Sequence, residues 1–563
     1  MKKLRAFILT SAAAAALGAC ASQREPSAAS AYADYLIGRF ADSRSDYGVA
    51  ADRYFRAIEQ GTVSAETIDG ALDSALAQGD ERRARHAASI AMTRHVASPM
   101  GQLVRAADAL ASGRERQARS EMTSIGGDGL QELAGRMIEI WAKAPDARAA
   151  EAVVSEFDLI TAPPPFSGIF DYQRALMLDY AGKRDEAAEA FARARASEIW
   201  LPPAAVREVD LLGRMGRAAE ARALYAGPAG RIRDPALERA TIAVEAGQPG
   251  APAPLTPARG AAIGVYALGA LLIEERETDR GLAMLTLANM LDPSLDAARF
   301  LFAEGHRQLG HPELALAALA ALPPDSPYTE SAKISTAWIL RSDGRNDEAV
   351  AAARAAAEGG GRLARTALAD FYRGSERWAE ADGAYTALID SIEAPVQSDW
   401  ILFFSRGAVR ERLDRWPEAE ADLKRALELS PNQSEALNYL GYSWIDRGEH
   451  LQEGLALVQR AAALRPTSGH IIDSLGWAYY RLGDYAQAIQ YLERAVELEP
   501  ADATLNDHLG DALWRAGRRV EARYQWSRAL SLNPSDAERR TIDAKLANGM
   551  PPAQLPASAS ASR

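Results

Sequence analysis

The sequence is poor in the residues that build disulfide frameworks and metal centres. It contains one cysteine, Cys20, and seven histidines among 563 residues. A single cysteine cannot form a disulfide within the chain, and no two histidines stand at a spacing typical of metal ligands. The sequence therefore predicts neither a metal site nor another cofactor.

Positive charge and catalytic motifs are also scarce. The chain has 64 Lys and Arg against 76 Asp and Glu, which gives a net charge of −12. Nucleic acids require a basic protein face, so a nucleic-acid partner is disfavoured. The sequence shows no GxSxG, HExxH, P-loop or dinucleotide-binding fingerprint. We therefore expect no enzyme activity and no small-molecule substrate.

The last third of the chain repeats itself at a spacing of about 34 residues. The landmarks of one copy and their counterparts in the next are Leu475-Gly476 and Leu509-Gly510, Gly483 and Gly517, Ala488 and Ala522, Leu492 and Trp526, Ala495 and Ala529, and Pro500 and Pro534. Less regular copies precede these along most of the chain. Four consecutive copies in phase predict a stack of antiparallel helix pairs.

Each landmark has a physical role in such a pair. Gly476 and Gly510 let the first helix approach the second closely. Gly483 and Gly517 stand where the first helix ends, because glycine tolerates the left-handed conformation found there. Pro500 closes the second helix, since proline cannot continue one. The sequence thus predicts an all-α solenoid of about twelve helical pairs.

The repeated segments carry a family resemblance. The segments IIDSLGWAYYRLGDY and LNDHLGDALWRAGRR, each followed by a second helical segment, resemble tetratricopeptide-repeat (TPR) proteins. Together with LNYLGYSWIDRGEHLQEGLALVQRAAALRP, they are most similar to bacterial outer-membrane TPR lipoproteins. One such group serves as an adaptor that delivers cell-wall hydrolases to a periplasmic carboxyl-terminal processing protease. The resemblance implies a right-handed superhelix that binds other proteins.

The start of the chain resembles a lipoprotein signal. A basic stretch at residues 1–5 precedes a short apolar run and the sequence Leu17-Gly18-Ala19-Cys20, which is similar to a lipobox. The family rule implies removal of residues 1–19, lipidation of Cys20, and a polar tether over residues 20–31. We therefore expect an outer-membrane protein that faces the periplasm. The alternative is an ordinary signal peptide with an incidental cysteine.

Composition and repeat phase predict five further segments. They are a degenerate N-terminal solenoid (32–246), a Pro/Gly-rich linker (247–259), middle repeats (260–396), a well-matched C-terminal block with a capping helix (397–547), and a disordered tail (548–563). The linker is either a hinge between two solenoid halves or a loop within one superhelix, and the sequence favours neither.

In the family that the sequence resembles, the first helix of each pair lines the concave face. The residues that do so stand at fixed offsets from the glycine of the Leu-Gly landmark. Those offsets share one side of a helix. In this sequence they select a protein-binding face of Tyr442, His470, Asp473, Trp477, Tyr480, Arg481, Asp507, Asp511, Trp514 and Arg515. Its aromatic rings suit protein contacts, and its acids favour a basic or apolar ligand.

Each of these residues also has a plainer interpretation. Trp477 and Trp514 could pack between helices, and the acids could simply be hydrated. Asp507 and Asp511 lie four residues apart on one helix face, which is the arrangement of a catalytic acid–base pair. With no partner base or nucleophile in the sequence, that interpretation has little support.

The sequence leads to three functional hypotheses. The first is a lipid-anchored scaffold without enzyme activity, in its sharper form the protease adaptor described above. The second is an assembly factor for polysaccharide or pilus export at the outer membrane. The third is an enzyme hidden in the degenerate stretch from Tyr32 to Ala246.

Overall fold

The computed structural model describes residues 28–123, 129–160, 166–197, 199–226, 234–250 and 253–551. All of its regular secondary structure is helical, and thirty of the elements are α-helices. Twelve separate pairs of successive helices pack directly against each other among the described residues. The fold is therefore the all-α repeat solenoid that the sequence predicts. The signal segment, Cys20, most of the tether and residues 552–563 lie outside the described residues.

Two compact units meet at the bond between Ala352 and Ala353. The first contains α1 (Ala28–Asp42), α2 (Tyr47–Glu59), α3 (Ala65–Gln78), α4 (Glu81–Thr93), α5 (Pro99–Ala111), α6 (Glu115–Met122), α7 (Gly129–Ala142), α8 (Ala147–Val153), a 3₁₀ turn (Val154–Leu159), α9 (Ser167–Tyr180), α10 (Arg184–Arg195), α11 (Pro202–Arg214), α12 (Ala218–Ala226), α13 (Pro235–Glu245), α14 (Pro257–Glu274), α15 (Thr278–Leu291), α16 (Asp296–Gln308), α17 (Pro312–Ala320) and α18 (Thr329–Ser342).

The unit boundary falls inside α19 (Asn346–Ala357). The second unit continues with α20 (Arg362–Gly374), α21 (Trp378–Asp390), a 3₁₀ turn (Gln397–Asp399), α22 (Trp400–Arg412), α23 (Trp416–Leu429), α24 (Ser434–Arg447), α25 (Leu451–Leu464), α26 (Gly469–Arg481), α27 (Tyr485–Leu498), α28 (Ala503–Arg515), α29 (Arg519–Ser531) and α30 (Asp536–Asn548).

The landmarks of the C-terminal repeats behave as their chemistry requires. Gly483 and Gly517 adopt φ angles of 81° and 83° where the first helices end. A Cβ on Gly476 would lie 2.6 Å from Cγ of Leu492, and one on Gly510 would lie 2.4 Å from Cδ1 of Trp526. The repeat glycines are therefore held by helix termination and by close helix packing, as predicted.

The hairpin of α14 and α15 is the centre of the first unit. Of the 18 residues of α14, 13 are buried, and so are 12 of the 14 residues of α15. The two helices pack against α3, α5, α7 and α9, which are the first helices of four successive pairs. A helix that is apolar on every side requires burial on every side. The first unit is thus built around its own hairpin.

Close contacts fix the position of this hairpin. A Cβ on Gly264 would lie 2.4 Å from Sδ of Met137, so only a glycine allows α14 to approach α7 this closely. The buried Thr286 hydroxyl of α15 donates to the carbonyl of Leu76 at 2.7 Å. One continuous core joins residues from Ala41 to Tyr328.

The predicted linker at residues 247–259 does not separate the two compact units. The core of the first unit continues across it, because the hairpin that follows the linker packs on helices that precede it. The unit boundary instead divides the segment predicted as middle repeats, at Ala352.

A pair of histidines lies at the contact between the first repeat and the hairpin. His306 is fully buried, and its Nδ1 lies 3.3 Å from Nδ1 of His311. The ring of Tyr47 packs edge-on against both histidines, and its hydroxyl donates to Asp279 at the start of α15. Burial, aided by the neighbouring His311, lowers the pKa of His306 to about 4. The first repeat is thus joined to the hairpin through a site that favours neutral histidine.

Substituting the hairpin glycine Gly260 by alanine should destabilise the first unit. Its Cβ would lie 2.2 Å from Cζ2 of Trp141, and overpacking of this kind costs about 1–3 kcal/mol. The matched control is Gly383→Ala, because Gly383 lies in α21 with open space around it, where alanine should gain roughly 0.5–1 kcal/mol. Calorimetry measures both changes, and a Gly260→Ala chain as stable as the parent would contradict the described packing.

The first unit should also lose stability on acidification between pH values of about 6.5 and 4. His306 stays neutral in the fold down to its lowered pKa, whereas the unfolded chain binds the proton earlier. A single group of this kind contributes roughly 3 kcal/mol across the window. Chemical denaturation at several pH values tests this, with His306→Leu expected to flatten the dependence. An equal slope in both proteins would refute the role of His306.

Candidate functional site

Three first helices of the second unit, α24, α26 and α28, carry all ten residues predicted for the protein-binding face. They are held side by side because small residues at the repeat landmarks let successive pairs stack. Ala488, Ala495 and Ala522 are fully buried at these contacts. The stacking therefore sets the spacing of the side chains on the face.

An aromatic stack occupies the middle of this face. The ring of Trp477 lies 4.2 Å from that of His508 at an interplanar angle of 23°, and 4.6 Å from that of Tyr480 at 17°. Nε1 of Trp477 has no hydrogen-bond partner among the described residues. Tyr442, on the preceding first helix, is half-buried, and burial raises its pKa to about 12. We name Tyr442, Trp477, Tyr480 and His508 the aromatic face.

A buried ion pair holds the His508 ring of the aromatic stack in place. Nδ1 of His508 lies 3.0 Å from both carboxylate oxygens of Asp473, which is 6% exposed. Burial alone lowers the pKa of His508, but the Asp473 carboxylate outweighs it, so the pKa lies above its ordinary value. The pair orients the imidazole ring against Trp477, and it leaves Asp473 engaged within the chain.

The two aspartates of α28 are also engaged. Nζ of Lys545, on the capping helix α30, donates to Asp507 at 2.8 Å and to Asp511 at 2.8 Å. Asp511 further accepts from Nε1 of Trp526 at 2.9 Å. Burial raises the pKa of Asp511, and Lys545 opposes the shift. These contacts make Asp507 and Asp511 structural partners of the capping helix.

The remaining charges of the predicted face have partners as well. Arg481 donates to Asp446 at 2.8 Å. Arg515 donates to the carbonyl of Pro551 at 2.5 Å and to the Tyr480 hydroxyl at 3.4 Å. The acids that suggested a basic ligand are bonded to His508 and Lys545 within the chain. The face instead offers aromatic surface.

Trp514 packs against neighbouring helices, which is the plainer interpretation given above. Its ring lies 5.3 Å from that of Trp526, and the backbone of Gly549 covers it so closely that a Cβ there would lie 2.3 Å from Cζ2 of Trp514. Arg519 and Arg523 lie over the same ring. Trp514 is therefore a packing residue beneath the C-terminal end of the described chain.

His470 lies at the exposed edge of the face. Its Nε2 is 3.0 Å from Oε2 of Glu499, and Asp502 is close enough for the three side chains to hold a metal ion. Glu499 already accepts from the Gly469 N–H at 2.8 Å, and Asp502 caps α28 through the Leu505 N–H. Glu499 and Asp502 therefore lie close to His470 because each of them binds the N–H of a helix N-terminus.

Sequence reasoning missed His508 and Lys545, which hold the predicted acids. The repeat period offers the signal that could have found them. The pairs Asp473 with His508, Asp446 with Arg481, and Tyr480 with Arg515 are each 35 residues apart. Side chains one period apart lie on neighbouring first helices, so opposite charges at that spacing predict a contact.

Comparison with known proteins identifies the C-terminal repeats. Residues 404–469 and 474–537 match the family described as tetratricopeptide repeat. These residues are tetratricopeptide repeats. A stretch of 94 residues is 35% identical to the TPR repeat-containing protein PA4667 of Pseudomonas aeruginosa. This match covers 17% of the present chain and 16% of that protein, about a sixth of its length.

Comparison with solved structures finds matches at low sequence identity. A TPR protein from Parabacteroides merdae is 18% identical over 46% of this chain and 100% of its own, with a TM-score of 0.38. The Cut9–Hcn1 hetero-tetramer of APC/C contains a chain that is 14% identical over 95% of this chain and 98% of its own, with a TM-score of 0.37. Among the described residues, no helix has the length and apolar character needed to cross a membrane.

Replacing Lys545 by methionine should loosen the capping helix. The change leaves two carboxylates, of which that of Asp511 is 6% exposed, without their cation, and breaking a buried ion pair from one side costs about 3–5 kcal/mol. The control is Lys424→Met, since the Lys424 ammonium pairs with Glu420 at 2.9 Å but is 49% exposed. Thermal unfolding distinguishes the two, and equal melting temperatures would show that Lys545 does not hold the cap.

Proposed function

We propose that this chain is a scaffold without enzyme activity, that it binds other proteins through the aromatic face of its TPR repeats, and that a lipid on Cys20 anchors it to the outer membrane. In the sharper form of the proposal, it is an adaptor. It holds a periplasmic carboxyl-terminal processing protease together with a cell-wall hydrolase that the protease degrades.

The observation that carries the proposal is the stack of Trp477 between His508 and Tyr480. Trp477 belongs to neither of the apolar clusters that surround it, whereas Trp514 packs against one of them. Trp477 is partly exposed and is held in place by two neighbouring rings, so its exposed edge offers a rigid contact at low entropic cost. Such a surface suits an apolar segment of a protein partner.

The first unit supports the same choice of surface. In TPR solenoids the first helices line the face that receives ligands, and here the hairpin of α14 and α15 fills that face along α3, α5, α7 and α9. A protein ligand would have to displace two helices that are buried along most of their length. The second unit is therefore the better candidate for binding through first helices.

The anchor and the adaptor role rest on other grounds. The lipobox-like sequence before Cys20 supports a lipid, and several acyl chains at about 0.8 kcal/mol per buried CH₂ make a durable anchor. The adaptor role rests on the resemblance of the C-terminal repeats to outer-membrane TPR lipoproteins. An anchored scaffold of this kind would keep a protease and its substrate near the membrane at high local concentration.

Trp477→Ala should weaken partner binding and should cost less stability than Trp514→Ala. The variant removes the central ring of the aromatic face, whereas Trp514→Ala should cost about 3–5 kcal/mol of stability, because its ring is packed beneath Gly549. Trp338→Ala is the matched control, since Trp338 is 36% exposed and lies in the first unit. Affinity capture by each variant, followed by mass spectrometry and a thermal melt, separates the two roles.

The captured proteins then decide between the hypotheses. A protease and a peptidoglycan hydrolase that are lost with Trp477→Ala and retained with Trp338→Ala support the adaptor. Recovery of neither by the lipid-free chain would reject it. Capture of polysaccharide-export or pilus proteins without a protease would favour the assembly factor instead. Equal capture by Trp477→Ala and the parent chain would reject the aromatic face as the binding surface.

A further inference from the structure

A cavity of about 510 Å³ lies in the first unit. Its walls come from α11, α13, residues 248–250 and 253, the start of α14, and residues 292–297 and 323–328. The volume falls within the range of small-ligand pockets, about 300–1,000 Å³. Apolar side chains, among them Val206, Ile263 and Leu295, form part of its lining. The cavity is thus large enough and apolar enough to hold an organic group.

One wall of the cavity carries a buried cation without a carboxylate partner. Arg207 is 9% exposed, and its side chain lines the cavity. Among the described residues its only hydrogen bond runs from Nη1 to the carbonyl of Ala253 at 2.5 Å. A guanidinium has five N–H donors, so most of those of Arg207 remain for whatever occupies the cavity.

The carboxylates near Arg207 are committed to other arginines. Asp179 and Asp210 accept from Arg214 at 2.8 and 2.9 Å. Asp292 lies 3.3 Å from Nε of Arg259, whose positive charge also faces Arg207. Burial, aided by Arg259, lowers the pKa of Arg207, and the negative charges of Asp210, Asp292 and Asp179 oppose this shift. Arg207 is therefore a buried cation whose nearby carboxylates bond to other arginines, and a bound anion would accept its unused N–H donors.

We propose that Arg207 and this cavity form a binding site for a carboxylate attached to an apolar group. The guanidinium fork matches the two oxygens of a carboxylate, and the apolar wall accommodates the group that carries it. A strongly charged anion fits less well, because Asp292, Asp296 and Asp325 also line the cavity. The site is open to solvent at the exposed Arg239, which donates to the carbonyl of Asp325 across its rim.

The carboxylate could belong to a free organic acid or to the last residue of a polypeptide. N-acetyl-L-leucine represents the first source, and an acetylated pentapeptide of four alanines and a C-terminal leucine represents the second. Each has a control in which an amide replaces the carboxylate. Isothermal titration of the full chain with all four compounds, and with inorganic phosphate, measures which chemistry the cavity accepts.

The expected result is saturable binding of at least one acid, with affinity reduced by about tenfold or more for its amide and in Arg207→Met. Arg193→Met is the matched control, because Arg193 is 57% exposed on α10, outside the cavity lining, and it should bind as the parent does. Arg207→Lys keeps the charge without the fork and should bind with intermediate affinity. Binding of the pentapeptide alone identifies a polypeptide end, and equal binding of both acids identifies a free acid as sufficient.

Thermal unfolding separates this role from a structural one. Arg207→Met should melt no lower than the parent chain, because it removes a buried charge that forms no direct ion pair, and the bound acid should raise the melting temperature of the parent. The proposal is overturned by any of four results: no saturable binding of either acid, equal binding of acid and amide, unchanged binding in Arg207→Met, or tighter binding of phosphate than of carboxylate.

Discussion

Burial of the hairpin of residues 257–291 is the constraint on which the first unit depends. Its two helices are buried along most of their length, and at about 25 cal/mol per Å² of apolar surface their exposure to water would cost more than the net stability of a domain. The first helices of four successive pairs supply the surface that covers them. Gly260 and Gly264 allow the close contact between these helices. The buried Thr286 hydroxyl adds a hydrogen bond across it.

The consequence for function is a division between the two units. In the first unit, the chain's own hairpin covers the first helices α3, α5, α7 and α9. In the second, the predicted charges are paired within the chain, and a partly exposed aromatic stack remains. A partner that binds the second unit would meet rings held rigid by Asp473 and by the repeat packing. The acidic net charge of the chain therefore contributes little to binding at the aromatic face.

The sequence predicts the helix pairs because their determinants are local or recur with the repeat. The helix-ending glycines 483 and 517, and the small residues at 476, 488 and 510, each act within one pair, and the structure shows each in the predicted role. The position of the hairpin could not be predicted in this way. Gly269, Gly281 and Ala288 fit the repeat spacing whether the pair continues the stack or fills its inner face.

The same limit explains what was missed at the site. The offsets along one helix select Asp473, Asp507 and Trp514, but their surroundings come from other helices. His508 lies one repeat away, and Lys545 and Gly549 belong to the capping segment. Contacts between repeats depend on the stacking of the helices as well as on their periodicity. Pattern alone therefore predicts which residues share one side of the first helices, but not which of them remain accessible.

Hydrogen–deuterium exchange, followed by mass spectrometry on the full chain with and without its captured protein partner, tests this account most directly. The account predicts slow exchange of residues 257–291 in both states, and new protection on partner binding in residues 434–515 alone. Rapid exchange of the hairpin, or partner protection along residues 65–142 in place of 434–515, would contradict it. Either result would mean that the inner face of the first unit is open to ligands.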